Sequence, residues 1–177
     1  MTNEVKQDFM LRITQANASA LVVILYDMFE EYCNELTAAE PGSAGFRNAM
    51  RGARGCLSEL IQSLNRPSSA AFPADRRNID PGDNAKALKE LVENTYSLYR
   101  YVERQLIQAD VKRDASKIPA SMDIMKKLRD SYAASAKNDN SAPIMKNTDV
   151  IYAGMTYGSD DINTASAAAG TNRGYLV

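Results

Sequence analysis

The stretch LKELVENTYSLYRYVERQLIQA, residues 88–109, decides the fold. Its apolar and small positions, Leu88, Leu91, Val92, Thr95, Leu98, Tyr99, Val102, Leu106 and Ala109, recur at intervals of three and four. That is the spacing at which residues share one face of an α-helix. The start signals lie just upstream. Asp80 stands where a helix cap belongs, Pro81 at the first helical position and Asp83 in the first turn, where a fixed φ and a negative charge are both favoured. A helix running from there to Ala109 or beyond would be ~40 Å long. A stripe of that length needs other amphipathic helices to cover it.

Those helices are legible on either side. Asn17 can cap a helix over 18–37, because its side chain accepts from the first free backbone N–H groups. Leu21, Ile24, Leu25, Met28, Phe29, Tyr32, Cys33 and Leu36 form its stripe, and Pro41-Gly42 ends it. A second helix, 43–65, begins at Ser43 and carries Phe46, Ala49, Met50, Ala53, Leu57, Leu60, Ile61 and Leu64. Gly52 and Gly55 lie inside it, each costing on the order of 1 kcal/mol relative to alanine. Such positions admit the close approach of a neighbouring helix or a bound peptide; simple tolerance fits them equally well. Residues 66–80 read as a polar surface loop, long for a bundle connection. VKRDAS turns the chain, and a helix over 116–137 follows, with Pro119 acceptable only in its first turn. Ile118, Met122, Met125, Leu128 and Tyr132 make its looser stripe. The expected fold is all-α, an antiparallel up-and-down four-helix bundle over 17–137. A leader, 1–16, precedes it. An extended tail, 138–177, follows, too polar to fold alone yet carrying Ile144, Met145, Ile151, Tyr152, Met155, Tyr157 and Ile162. It is expected to pack on the bundle at intervals or to be partly disordered.

Composition narrows the function. The chain has 177 residues, 45% of them apolar, and 21 basic against 22 acidic side chains, for a net charge of −1. Nothing here is suited to neutralising phosphates, so nucleic acid is not an expected partner. Histidine is absent, which removes the commonest general base and metal ligand. There is no CxxC pair, P-loop, GxGxxG or GxSxG. A carboxylate-based enzyme or metal carrier built on a bundle would need inward-facing glutamates on several helices, whereas the acidic residues fall mostly outside the stripes. Neither enzyme activity nor a cofactor nor a metal is expected. Cys33 and Cys56 read as buried thiols of a reducing compartment. The start MTNEVKQDFM has neither the basic nor the apolar region of a signal peptide. The longest apolar run, Ala20 to Leu25, is too short to cross a membrane. A cytoplasmic location without membrane insertion is expected.

Four segments resemble the FliS family of flagellin export chaperones. NASALVVILYDMFEEYCNEL, residues 17–36, contains the triplet Leu25, Tyr26 and Asp27 of that family's first helix. FRNAMRGARGCLSELIQSLN, residues 46–65, is similar to its second, closing with Glu59, Leu60 and Leu64. LVENTYSLYRYVERQLIQADVKRD, residues 91–114, matches best, with Leu98, Tyr99, Tyr101, Leu106, Ala109 and Asp114 in register. Asp110 stands where asparagine is usual. LRDSYAAS, residues 128–135, places Tyr132 where the family has an aromatic. Where family leaders often carry a tyrosine, the nearest aromatic here is Phe9. The resemblance implies a cytoplasmic helical chaperone that holds the C-terminal segment of flagellin. It would prevent premature polymerisation and help deliver the subunit, as a complex, to the flagellar type III export gate. The other reading is a generic helical adaptor or self-associating structural bundle with no export role; a homodimer is compatible with either.

Such a chaperone must show apolar and aromatic surface when empty, because an extended client binds by laying apolar residues into grooves. Tyrosine and methionine suit that work. Tyr26, Tyr96 and Tyr101 lie off the main stripes and are the sharpest candidates. Met50, Leu57 and Ile61 are candidates to line a groove, and Phe9 stands in for the leader's aromatic. The tail's spacing through Ile151, Met155, Tyr157 and Ile162 would also let it lie in client grooves when flagellin is absent.

Overall fold

A computed structural model describes residues 1–64 and 83–145, and the described residues form five helices: α1 (Asn3–Thr14), α2 (Ala18–Ala38), α3 (Ala44–Ser63), α4 (Asp83–Lys112) and α5 (Ile118–Ala136). No strand occurs among them. The caps expected from sequence are in place. The Ala20 N–H donates to Asn17 Oδ1 at 2.8 Å and the Phe46 N–H to Ser43 Oγ at 3.1 Å. Each satisfies a backbone donor that has no partner within its own helix. Pro119 sits in the first turn of α5, where its missing N–H costs nothing. The proposed Asp80 cap, the 66–80 loop and the tail beyond residue 145 lie outside the described residues.

α2 is central. It packs against α3, α5 and α1, while α4 bridges α3 and α5. The ring α2–α3–α4–α5 encloses one core, to which Phe29, Cys33 and Leu36 (α2), Phe46, Ala53, Leu57 and Leu60 (α3), Tyr99, Val102 and Leu106 (α4), and Ile118 and Met125 (α5) contribute. Each large side chain fully buried there stabilises the fold by roughly 1.5–3 kcal/mol. Cys33 and Cys56 are free and buried in this core. Burial pushes their thiols up to about 12 and about 11.

The leader is itself a helix. Thr2 Oγ1 caps it, and Phe9 buries with Ala16 and Ile24 in a satellite cluster that also takes in Val5, Ile13, Leu21 and Met28. α2 therefore has two apolar sides, one toward the ring and one toward α1. This explains a misreading of its stripe. Tyr26, expected off the core face, is only 2% exposed. The sequence stripe averages two faces, and its apparent centre is displaced from the true core side.

α4 differs from expectation in the opposite sense. Its 30 residues compare with 21, 20 and 19 in α2, α3 and α5. At 1.5 Å per residue it is ~45 Å long against ~30 Å for its neighbours. Its buried positions begin only at Thr95. Leu88 and Leu91, read as core, are each 61% exposed, and Leu98 is also exposed.

The turn into α5 uses Arg113 in the left-handed region, φ 52°. Asp114 stabilises it by accepting from the Ser116 N–H at 2.9 Å and the Ser116 hydroxyl at 3.0 Å, an Asx arrangement. After α5 the chain returns to the α1–α2 junction. Asn17 Nδ2 donates to the Asp139 carbonyl at 2.9 Å, the Ser19 hydroxyl donates to the Asp139 carboxylate, and the Ile144 N–H donates to the Ala16 carbonyl at 3.1 Å.

Candidate client-binding surface

The candidate residues do not converge on one spot. Phe9 is buried between α1 and α2, with the Arg12 guanidinium 5.2 Å above its ring. Met50 and Leu57 are core residues, and Ile61 is half-buried against that core. Tyr96 is half-buried and Tyr101 is 40% exposed. Tyr96 and Tyr101 are five residues apart, about 140° around α4 at 3.6 residues per turn. They therefore lie on opposite flanks. Tyr96 shares its flank with Asp110, whose carboxylate reaches Arg54 of α3 at 3.9 Å. Tyr101 shares the other flank with Leu91 and Leu98.

Tyr26 holds the core together. Its hydroxyl hydrogen-bonds the Tyr99 hydroxyl of α4, and the Tyr99 hydroxyl also interacts with that of Tyr132 on α5. The Tyr26 ring tilts against Tyr99 and Tyr132, with centroids 6.3 and 5.7 Å away. Burial is the first cause that raises the pKa of all three phenols, so they stay protonated and can donate to one another. Three polar oxygens are thereby accommodated in an apolar centre.

The next residue, Asp27, joins three helices. Its Oδ1 accepts from Arg129 Nε of α5 at 2.9 Å, and its Oδ2 pairs with the Arg12 guanidinium of α1. The hydrogen bond to Asp27 raises the Arg129 pKa. Sequence reasoning did not find this junction, because its partners lie 15 and 102 residues away. The Leu-Tyr-Asp triplet is thus a structural knot.

Along α4 several large apolar side chains are left exposed. Leu88, Leu91, Leu98 and Tyr101 are all more than a third exposed, lie within ~20 Å along the helix, and fan about 140° around it from the line of the core residues to Tyr101. Sequence reasoning named Tyr101 but assigned the three leucines to the core. The available signal was length, since the α4 stripe outruns every helix that could cover it. Among the described residues no group of acidic residues and cysteines is arranged to hold a metal ion. No described helix is long and apolar enough to cross a membrane.

Residues 84–139 match the family model of the flagellar protein FliS. That span takes in all but the first residue of α4, the Arg113–Lys117 turn and the whole of α5. The resemblance read at 91–114 and 128–135 lies within it; the segments at 17–36 and 46–65 lie outside it. No curated protein matches the chain.

Proposed function

We propose that this chain, which matches the FliS family model across residues 84–139, is a non-enzymatic cytoplasmic export chaperone for flagellin. It holds the C-terminal segment of the subunit, prevents premature polymerisation and presents the complex to the flagellar type III export gate. One observation carries the reading. The exposed apolar strip Leu88, Leu91, Leu98 and Tyr101 falls inside the segment that matches the family. A soluble domain seldom leaves such a strip bare unless something binds it.

The architecture suits that task. Residues 39–43 and 113–117 join α2 to α3 and α4 to α5. Connections that short place successive helices side by side in opposite directions, so the ring is taken as an antiparallel up-and-down bundle. Grooves between such helices run lengthwise and accept a client as helices or extended pieces. Ordering a disordered segment costs conformational entropy, so the client must bury more surface than the α4 strip alone offers. The flanking grooves would supply it, and Ile61, Tyr96 and Tyr101 stand at their edges.

Co-elution tests the reading. The purified chain is mixed with monomeric flagellin and, separately, with flagellin lacking its C-terminal segment. A complex with the intact protein alone is expected. It should be lost in a Leu91→Asp/Tyr101→Asp variant whose helicity is unchanged. Binding to neither flagellin refutes the chaperone reading and favours a generic adaptor bundle.

A further inference from the structure

The face of α3 turned away from the core has no part in the proposed client strip, and its chemistry is different. Between Ala44 and Ser58 this helix has three arginines, Arg47, Arg51 and Arg54, and no acidic residue. All three are exposed. Their spacing of four and three sets them along one side of the helix, over ~10 Å. The chain as a whole has a net charge of −1, so this strip is a local concentration of charge.

The surface there is concave. One depression of about 300 Å³ lies between α3 and α4, with Met50 at its floor and Arg47, Arg51, Arg54 and Asp110 around it. A second, of about 610 Å³, lies toward Tyr32 and Glu35 of α2. Arg51 borders both, and the first is a trough along α3 and α4. Ile107 and Val111 of α4, 41% and 79% exposed, lie within one turn of Asp110, outside the lining of that depression. Arg54 meets Asp110 at 3.9 Å, a long pair that an incoming carboxylate can replace.

The glycines separate into two roles. A Cβ at Gly52 would run into the Tyr32 ring, so that glycine admits the neighbouring helix. A Cβ at Gly55 would meet nothing within 4 Å. Gly55 lies one turn after Arg51 and next to Arg54, and its missing side chain lowers the surface of α3 at that end of the arginine strip. A backbone can approach there.

We propose that this trough, from Arg47 to Ser58 of α3 with the Ile107–Val111 edge of α4, docks an acidic amphipathic helix of another protein. Carboxylates spaced by three and four would reach the arginines, apolar side chains would cover Met50, Ile107 and Val111, and the helix would cross at Gly55. Charge complementarity fixes the sign of the partner. The proposal does not rest on flagellin being the client of the α4 strip.

The test uses the full chain and two synthetic helical peptides of about five turns. They share leucine positions and differ in bearing glutamate or lysine beside them. Binding is followed by fluorescence anisotropy and backbone amide shifts. The glutamate peptide should saturate, shift amides of 47–58 and 107–111, and weaken with salt. Arg51→Gln/Arg54→Gln should weaken it on the order of tenfold, and Gly55→Phe should abolish it, with circular dichroism unchanged in both. Leu91→Asp/Tyr101→Asp should leave it intact. Equal binding of the lysine peptide, indifference to the arginine substitutions, shifts confined to the α4 strip, or preference for a single-stranded RNA oligomer would each overturn the proposal.

Discussion

Replacing Tyr99 by phenylalanine removes one oxygen from the centre of the bundle, and the cost follows from what that oxygen leaves behind. The Tyr26 hydroxyl is buried, and its hydrogen-bond partner is Tyr99. In Tyr99→Phe it loses that partner in a dry environment, at a cost of ~1–3 kcal/mol. In Tyr26→Phe the Tyr99 hydroxyl keeps its interaction with Tyr132, so only a net hydrogen bond of ~0.5–1.5 kcal/mol is lost. The double variant removes both partners at once and should cost less than the two singles added together. Urea unfolding measures this directly. With a slope of roughly 2 kcal/mol per molar, Tyr99→Phe should lower the midpoint by ~1 M and Tyr26→Phe by about half as much. If Tyr26→Phe proves the more damaging, or the double variant is additive, the shared-hydroxyl argument is wrong.

Three other perturbations have definite signs. Gly55→Ala should stabilise the fold by up to ~1 kcal/mol, since alanine is the better helix former and the space is open. Gly52→Ala should instead cost about 1 kcal/mol or more, because the Tyr32 ring must move; thermal unfolding of the pair shows whether the signs differ. The Asp139 carboxylate, hydrogen-bonded first by Ser19, is depressed from 3.8 to about 2. A depressed acid contributes stability above its unfolded value and loses it as pH falls through the folded one. The Ile144 amide should therefore stay protected above pH 4 and become exchangeable toward pH 2, and protection unchanged across that window would count against a coupling of the Asp139 carboxylate to the Ile144–Ala16 bond. Cys33 and Cys56, raised to about 12 and about 11 mainly by burial, should resist a thiol reagent at pH 8 until denaturant unfolds the core. Rapid labelling of the native protein would contradict their placement.

The helices themselves were written locally. The caps at Asn17 and Ser43, the α3 stripe and the α4 stripe all depend on neighbours within a few residues, and sequence displays those. The site was less legible, because its logic is non-local. Tyr26 sits off the apparent stripe of α2, and a hydroxyl 73 positions later, on α4, makes its burial tolerable. Leu88 and Leu91 obey the helical period, yet exposure depends on where the neighbouring helices stop. Asp27 looked like the end of a motif, and its role appeared only when Arg12 and Arg129 were brought beside it. α1 was passed over because twelve residues with Val5, Phe9 and Ile13 make too short a stripe to stand out.

Asn17 has a consequence of a mechanical kind. Its side-chain oxygen holds the first turn of α2, and its nitrogen holds the backbone at Asp139. Serine and aspartate are comparable caps, yet aspartate has no hydrogen to give and serine is too short to keep both bonds. The amide makes the entrance of α2 and the exit of α5 a single joint. A pull on the chain beyond residue 145 would load α2 at its root before it reached the last turn of α5. Asn17→Asp, which keeps the cap and removes the donor, would leave that force to the Ser19–Asp139 and Ile144–Ala16 bonds.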